Sequence, residues 1–478
     1  MVLKSGRYFI WWRRNSCSEL PLPRPRLRKS SRIALGISAT IFLATLNNTV
    51  HADAEDSDNT AASPQSPLRA GFMDDKSLWQ MPIRYLGEPP PGIMRIYWYA
   101  RFDTRFRTVS GGPRTLINFF EGDYATRANI GDVVAENIWY NLESLFSWYR
   151  VDHSTAHPVE HMQEPNLSPD AIHSVIKTAV KYQDESMLKY FLGRTFSTAS
   201  KRHAGDGLVA TTSSCMLSAL YEDDVRLLHV TSLGNMRALL GRPRPPDADG
   251  VVKYDVHVLS ADHTLTNPAE RARIEALHPG EDLFQDDGRL LGRPYTRALG
   301  DGTAKWHGDL QEKLYKDYLG APPDPRIKTP PYVSADPELS TIKVLPGDFL
   351  VMTSHWVQDC LTDTEVVGLV GAWFHKHRTT HLSDVPPSAP EPNPPEIIEP
   401  RELPVDMNLA EGEDKTVMWR RWNVPKRFVN VEPTPTAHVA HNAMGGADAE
   451  LRDVLLQLHP AASEGNVKAV GVCVVFFQ

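Results

Sequence analysis

Four cysteines are the first candidates for chemistry: Cys17, Cys215, Cys360 and Cys473. None stands in a CxxC or Cys/His metal spacing, which argues against a structural zinc site and against a disulfide scaffold. Cys215 and Cys360 lie in apolar stretches and read as buried filler rather than nucleophiles, since a reactive thiol needs an electropositive, reachable setting. Histidine offers one grouping, His375-Lys376-His377 with His381. Its spacing at a helix end fits either a metal site or cations that complement the helix dipole. Arg101, Arg105 and Arg107 alternate along a predicted strand and point one way, as either a phosphate-reading face or a solvated one. The net charge of −8 hides an asymmetry. Residues 1–32 hold nine Lys or Arg against the single acid Glu19, leaving 42 basic and 58 acidic groups in the remaining 446 residues. An acidic body argues against nucleic acid as a partner, because phosphate binding needs a basic face.

The elements that must position any site come next. Ile93–Phe106 and Thr115–Phe120 read as strands, and Val133–Tyr149 as an amphipathic helix with Val134, Ile138, Leu142, Leu145 and Trp148 on one face. Ser168–Phe196 reads as a longer helix, with Ser168 as N-cap and Pro169 in its first turn. Met216–Tyr221 and Val225–Leu240 form a hairpin around Glu222-Asp223-Asp224. Phe349–Thr353 and Gly471–Phe477 are buried strands. Thr362–His375 is a helix that opens with a Thr362/Glu365 capping box. Residues 53–77 are small and polar and read as a flexible linker. Residues 78–478 then form one α+β domain, with a proline-rich insert at 384–405.

Within that domain the motifs Leu259-Ser260-Ala261-Asp262-His263, Asn267-Pro268-Ala269-Glu270-Arg271, Arg297-Ala298-Leu299-Gly300-Asp301 with Lys305-Trp306, and Thr329-Pro330-Pro331-Tyr332-Val333 follow one another in a recognisable order. Their order resembles that of the metal-dependent (PPM, type 2C) protein serine/threonine phosphatases, and most of all their mitochondrial pyruvate dehydrogenase phosphatase branch. The resemblance implies a four-layer α-β-β-α sandwich of two antiparallel sheets flanked by helices. It also implies a binuclear Mg²⁺ or Mn²⁺ site that activates water against phosphoserine or phosphothreonine.

Carried over residue by residue, that site is altered. Where the family has a bridging Asp this chain has Glu121, one methylene longer, followed by Gly122 and then Asp123 in place of His. Where the family reads "SDG" it has Ser354-His355-Trp356, so a ligating Asp is a His and a Gly is a Trp. The Asp of "GDSRA" is Asn235, and the acid before the last strand is missing from Asn466–Val470, which contains Lys468. Asp301 and Asp359 remain as retained acids, read as turn or outer positions. Hard divalent cations need several carboxylate oxygens, and neutral imidazole favours zinc or copper instead.

The expectation is therefore a pseudophosphatase with no confident catalytic residue and no bound metal, serving as a binding or regulatory module. The alternative is an active serine/threonine phosphatase with Mg²⁺ or Mn²⁺, and a narrower one is a single-metal cluster of Glu121, Asp123 and His355. Residues 1–52 read as a mitochondrial presequence with a hydrophobic segment at 33–50. Three readings fit that segment: a two-part presequence, a retained inner-membrane anchor, or a secretory signal, its apolar part being shorter than a comfortable span. A mitochondrial protein or phosphoprotein is the expected partner, with the sub-compartment open.

Overall fold

The computed structural model describes residues 82–84, 92–101, 104–111, 114–122, 168–197, 201–284, 288–381, 396–406, 416–457 and 470–478. All belong to the compact unit Gln65–Gln478. The presequence, the linker, the Val133–Tyr149 helix, Asp123, positions 466–469 and most of the 384–405 insert lie outside the described residues. In chain order the strands are β1 (Pro82–Arg84), β2 (Ile93–Arg101), β3 (Thr104–Gly111), β4 (Arg114–Gly122), β5 (Ser213–Glu222), β6 (Leu227–Leu233), β7 (Arg237–Pro243), β8 (Tyr254–Val258), β9 (Leu299–Gly300), β10 (Glu338–Lys343), β11 (Phe349–Thr353), β12 (Ile397–Ile398), β13 (Phe428–Val429) and β14 (Val470–Phe477). The helices are α1 (Pro169–Phe196), α2 (Ala204–Val209), α3 (Pro268–Leu277), α4 (Gly302–Lys305), α5 (Gly308–Tyr318), α6 (His355–Cys360), α7 (Asp363–His381), α8 (Val417–Trp422), α9 (Pro435–Ala443) and α10 (Ala449–Gln457).

Two antiparallel sheets carry the fold. One runs β1-β2-β14-β11-β7-β8; the other runs β10-β6-β5-β4-β3, with β9 paired onto the start of β5. Val470–Phe477 lacks polar alternation because both its faces are covered. Cys473, Val475 and Phe477 pack between the sheets, with Leu350 of β11 beside them and Ile117 and Phe119 of β4 opposite. Val472, Val474 and Phe476 face α7 and α9, among Val370, Trp373 and Val439. On the far side α1 presses Ile172, Ile176 and Met187 onto Leu116, Phe120 and Met216 of the second sheet. The layers are thus helix, sheet, sheet, helix, as the resemblance implies.

Local chemical signals hold. The Ser168 side chain accepts from the Ala171 amide, and Pro169 opens α1. The Thr362 amide donates to Glu365 at 2.8 Å while the Glu365 amide donates back to the Thr362 hydroxyl at 3.2 Å. Helix α7 runs on to His381, six residues beyond the expected end.

Two expected strands are instead broken between sheets. Ile93–Phe106 divides into β2 and β3, so Arg101 lies in one sheet and Arg105 and Arg107 in the other, which corrects the reading of one shared arginine face. Val225–Leu240 divides at Gly234, where φ is +110°. A Cβ there would lie 2.2 Å from the Cys215 sulfur, so only glycine lets the chain pass from β6 to β7.

Candidate functional site

The site is built where strand ends of the two sheets meet. Strand β4 ends in Glu121-Gly122, with Glu121 opposite Cys215 on β5. Strand β11 ends at Thr353, and Ser354 turns the chain into α6. Ser354 ties this turn to β14: its amide donates to the Gly471 carbonyl at 2.9 Å, and its hydroxyl accepts from the Gly471 amide at 3.0 Å. Across the gap the His355 amide donates to Glu121 Oε2 at 3.0 Å. The Ser214 hydroxyl steadies the same strand end by donating to the Glu121 carbonyl at 3.1 Å. The longer Glu side chain therefore reaches from one sheet to a backbone donor of the other.

Asn235 is buried in the turn between β6 and β7. Its side-chain oxygen accepts from the Cys215 thiol at 3.4 Å, and its carbonyl accepts from Gln358 Nε2 at 3.1 Å. Burial, with the Glu121 charge beside it, pushes the Cys215 thiol up to about 12, which removes it as a nucleophile. Asp359 lies 4.0 Å from His355 Nε2. Asn235, His355, Gln358 and Asp359 line a cleft of about 390 Å³ that also includes Arg237, Asp262 and Asp363. Arg237 donates to Asp262 at 2.9 Å and pairs with Asp363 at 3.3 Å. Burial pushes the Asp363 carboxyl up, against the pull of Arg237.

Two further motif residues take buried positions. Trp356 is fully buried in the core under α7 and α9 and is not among the residues lining the cleft. Asp301 is buried in a left-handed turn with φ +53° and is clasped by Arg293 and Thr303. Among the described residues no group of three His, Cys, Asp or Glu side chains is arranged to hold a metal. Asp123 and positions 466–469 lie outside that description. The histidines at the end of α7 go separate ways: His377 stacks on Trp373 at 4.6 Å between centroids, while His375 Nε2 lies 3.4 Å from the Tyr254 hydroxyl.

Sequence reasoning misses the Asp262–Arg237–Asp363 group, although Asp262 stands in one of the family-like motifs. It also misses buried Asp184 of α1, which accepts from the Gly300 amide and from Lys305 Nζ, both at 2.7 Å. No local pattern marks an acid that finds its partners 116 and 121 residues away.

The family model for protein phosphatase 2C matches residues 150–387. A protein phosphatase 2C homolog of Schizosaccharomyces pombe is 29% identical over 316 residues, covering 64% of this chain and 63% of its own. The mitochondrial pyruvate dehydrogenase (acetyl-transferring) phosphatase 1 of Saccharomyces cerevisiae is 31% identical over 263 residues, covering 52% of this chain and 41% of its own. The chain thus spans less than two thirds of the length of these curated relatives. Among solved structures, a serine-threonine phosphatase 2C from Toxoplasma gondii superposes with a TM-score of 0.46 at 13% identity, over 83% of this chain and 99% of that one.

Proposed function

The chain belongs to the protein phosphatase 2C family, and from that premise we propose that it is a pseudophosphatase: a binding or regulatory module that keeps the fold without two-metal hydrolysis. The observation that carries this reading is the hydrogen bond from the His355 amide to Glu121 Oε2. Two hard cations would need several facing carboxylates to offset their charge and bridge them. The described positions that the resemblance would make metal ligands instead offer one carboxylate already engaged with backbone, one imidazole and one amide, and the cleft carboxylates Asp262 and Asp363 share Arg237. That donor set does not fit Mg²⁺ or Mn²⁺, and no catalytic step is derived through them.

A double variant tests the assignment. Glu121→Asp with His355→Asp should create measurable Mn²⁺ affinity if these are the altered ligand positions. Unchanged calorimetric traces would count against the assignment. The second reading, an active serine/threonine phosphatase using Mg²⁺ or Mn²⁺, is favoured by the phosphatase names of the relatives and by Asp359 on the cleft wall.

Mitochondrial residence is part of the same proposal. It is supported by the arginine-rich leader and by the location printed in the names of the pyruvate dehydrogenase phosphatases. A mitochondrial protein or phosphoprotein would be the partner, with the 33–50 segment as an inner-membrane tether. Import into isolated mitochondria with loss of the leader would support the location. Failure to import would contradict it.

A further inference from the structure

A hydrogen-bonded polar chain crosses the helix-covered face of the second sheet, far in function from any metal position. Arg114 on β4 donates to Glu222 on β5 at 3.0 Å. Glu222 Oε1 lies 3.1 Å from His229 Nε2 on β6. His229 Nδ1 lies 2.8 Å from the Thr341 hydroxyl on β10. The same hydroxyl lies 2.8 Å from His173 Nε2 on α1. One hydroxyl thus serves two imidazoles, whose rings meet edge to face at 5.7 Å.

The chemistry of the groups assigns the protons. Burial works against the charge of Glu222, but hydrogen bonds from His229 and Arg114 outweigh it and hold the carboxyl below its usual range. An ionised carboxylate only accepts, so His229 carries a proton on Nε2, and in its neutral form Nδ1 is an acceptor. Thr341 then donates to His229 and accepts from His173. A second proton on His229 turns Nδ1 into a donor, so two N–H groups face one hydroxyl whose own hydrogen has lost its acceptor. A second proton on His173 sets a cation close to the positive N-terminal end of α1. Burial, and then His229, hold the His173 imidazole below its ordinary range; Lys177 pushes the same way and Asp170 opposes. Charged groups that act on the pair are Asp170 and Lys177 on α1, Glu222 on β5 and, through Glu222, Arg114 on β4, while Glu338 and Lys343 stand at the two ends of β10. The remaining ion pair between α1 and the approach to β10, Lys181 to Asp336 at 3.4 Å, is exposed.

We propose that His173, Thr341 and His229 form a pH-sensitive latch that holds the first half of α1 on the edge strand β10 and releases it on acidification. The direction follows from linkage. The closed latch keeps the His173 imidazole neutral while the open one lets it take a proton at its ordinary pKa near 6.5, so acid favours the open form. Release stays confined to the first half because Asp184, three turns further along, remains bound to Gly300 and Lys305. The latch is independent of whether the cleft hydrolyses anything.

Hydrogen exchange on the full chain at pH 7.5 and 5.5, corrected for intrinsic rates, tests it. Amides of 169–180 and 338–343 should lose protection on the order of tenfold at pH 5.5, while 349–353 and 470–477 keep theirs. His173→Phe should flatten the response, and Thr341→Val should leave 169–180 poorly protected at both pH values. If His173→Phe fails to fold, His173→Gln, which keeps a donor toward Thr341, must show the flat response. A pH-independent wild type, a histidine variant that keeps the response, or equal loss across 349–353 would overturn the latch.

Discussion

The loop from Arg293 to Lys305 and the cleft beside Glu121 both carry family motifs, yet they differ in how their charges are met. In the loop every buried charge has a partner inside the fold. Asp301 takes Arg293 and Thr303. Asp184 takes Lys305 and the Gly300 amide. Glu270 takes Arg297, Arg273 and Thr296, which outweigh the cost of burial and hold its carboxyl well below the usual range. In the cleft Glu121 takes a backbone amide, Asn235 a thiol, and Asp363 shares Arg237 with Asp262. The acids the fold itself uses are in place. The positions that the resemblance would give to cations hold Glu121, Asn235 and His355, which is the pattern the proposed loss of catalysis requires.

The comparison can be broken most sharply in the loop. Lys305→Met leaves Asp184 buried without its cation and should cost about 3–5 kcal/mol in a urea titration. A loss below about 1 kcal/mol would mean the loop charges are not structural. Acid should act next. Burial, then Arg297, lowers the His263 pKa to about 4, and burial, then His441, lowers that of His438 to about 3. The unfolded chain takes up these protons near pH 6.5 and the folded one does not. Stability is therefore full above that pH, falls as the pH drops, and levels off near 4 for His263 and near 3 for His438. By pH 4 the His263 contribution is about 3 kcal/mol, readable from denaturation midpoints across pH. His263→Gln should reduce that slope.

The cleft should respond less. Glu121→Ala removes one charge-assisted hydrogen bond at a partly open strand end and should cost about 2 kcal/mol or less. A larger loss would make Glu121 as structural as Asp184 and erase the contrast. Lys316→Ala, at an exposed pair with Glu312, should leave the midpoint unchanged.

How much of this is legible in the sequence depends on the range of the signal. Caps written within four residues, such as Ser168-Pro169 and Thr362/Glu365, are readable because the partners are local. The buried strands Phe349–Thr353 and Gly471–Phe477 are visible because both faces are apolar. The changes of sheet after Arg101 and at Gly234 are not, since apolar residues flank each point on both sides while the chain changes sheet. Resemblance places Glu121 and His355 side by side, but not the bond between a carboxylate and a backbone amide, which no residue type announces. Nor does it say which way the Trp356 ring turns; its large apolar area takes it into the core.

The most direct test of the central claim is Mn²⁺ titration calorimetry on the purified chain, with metal content and hydrolysis of a phosphothreonine peptide measured on the same sample. The account predicts no binding heat, no retained metal and a rate equal to buffer. Two Mn²⁺ bound per chain, with turnover abolished by Glu121→Ala, would contradict it and restore the chain to the active members of its family.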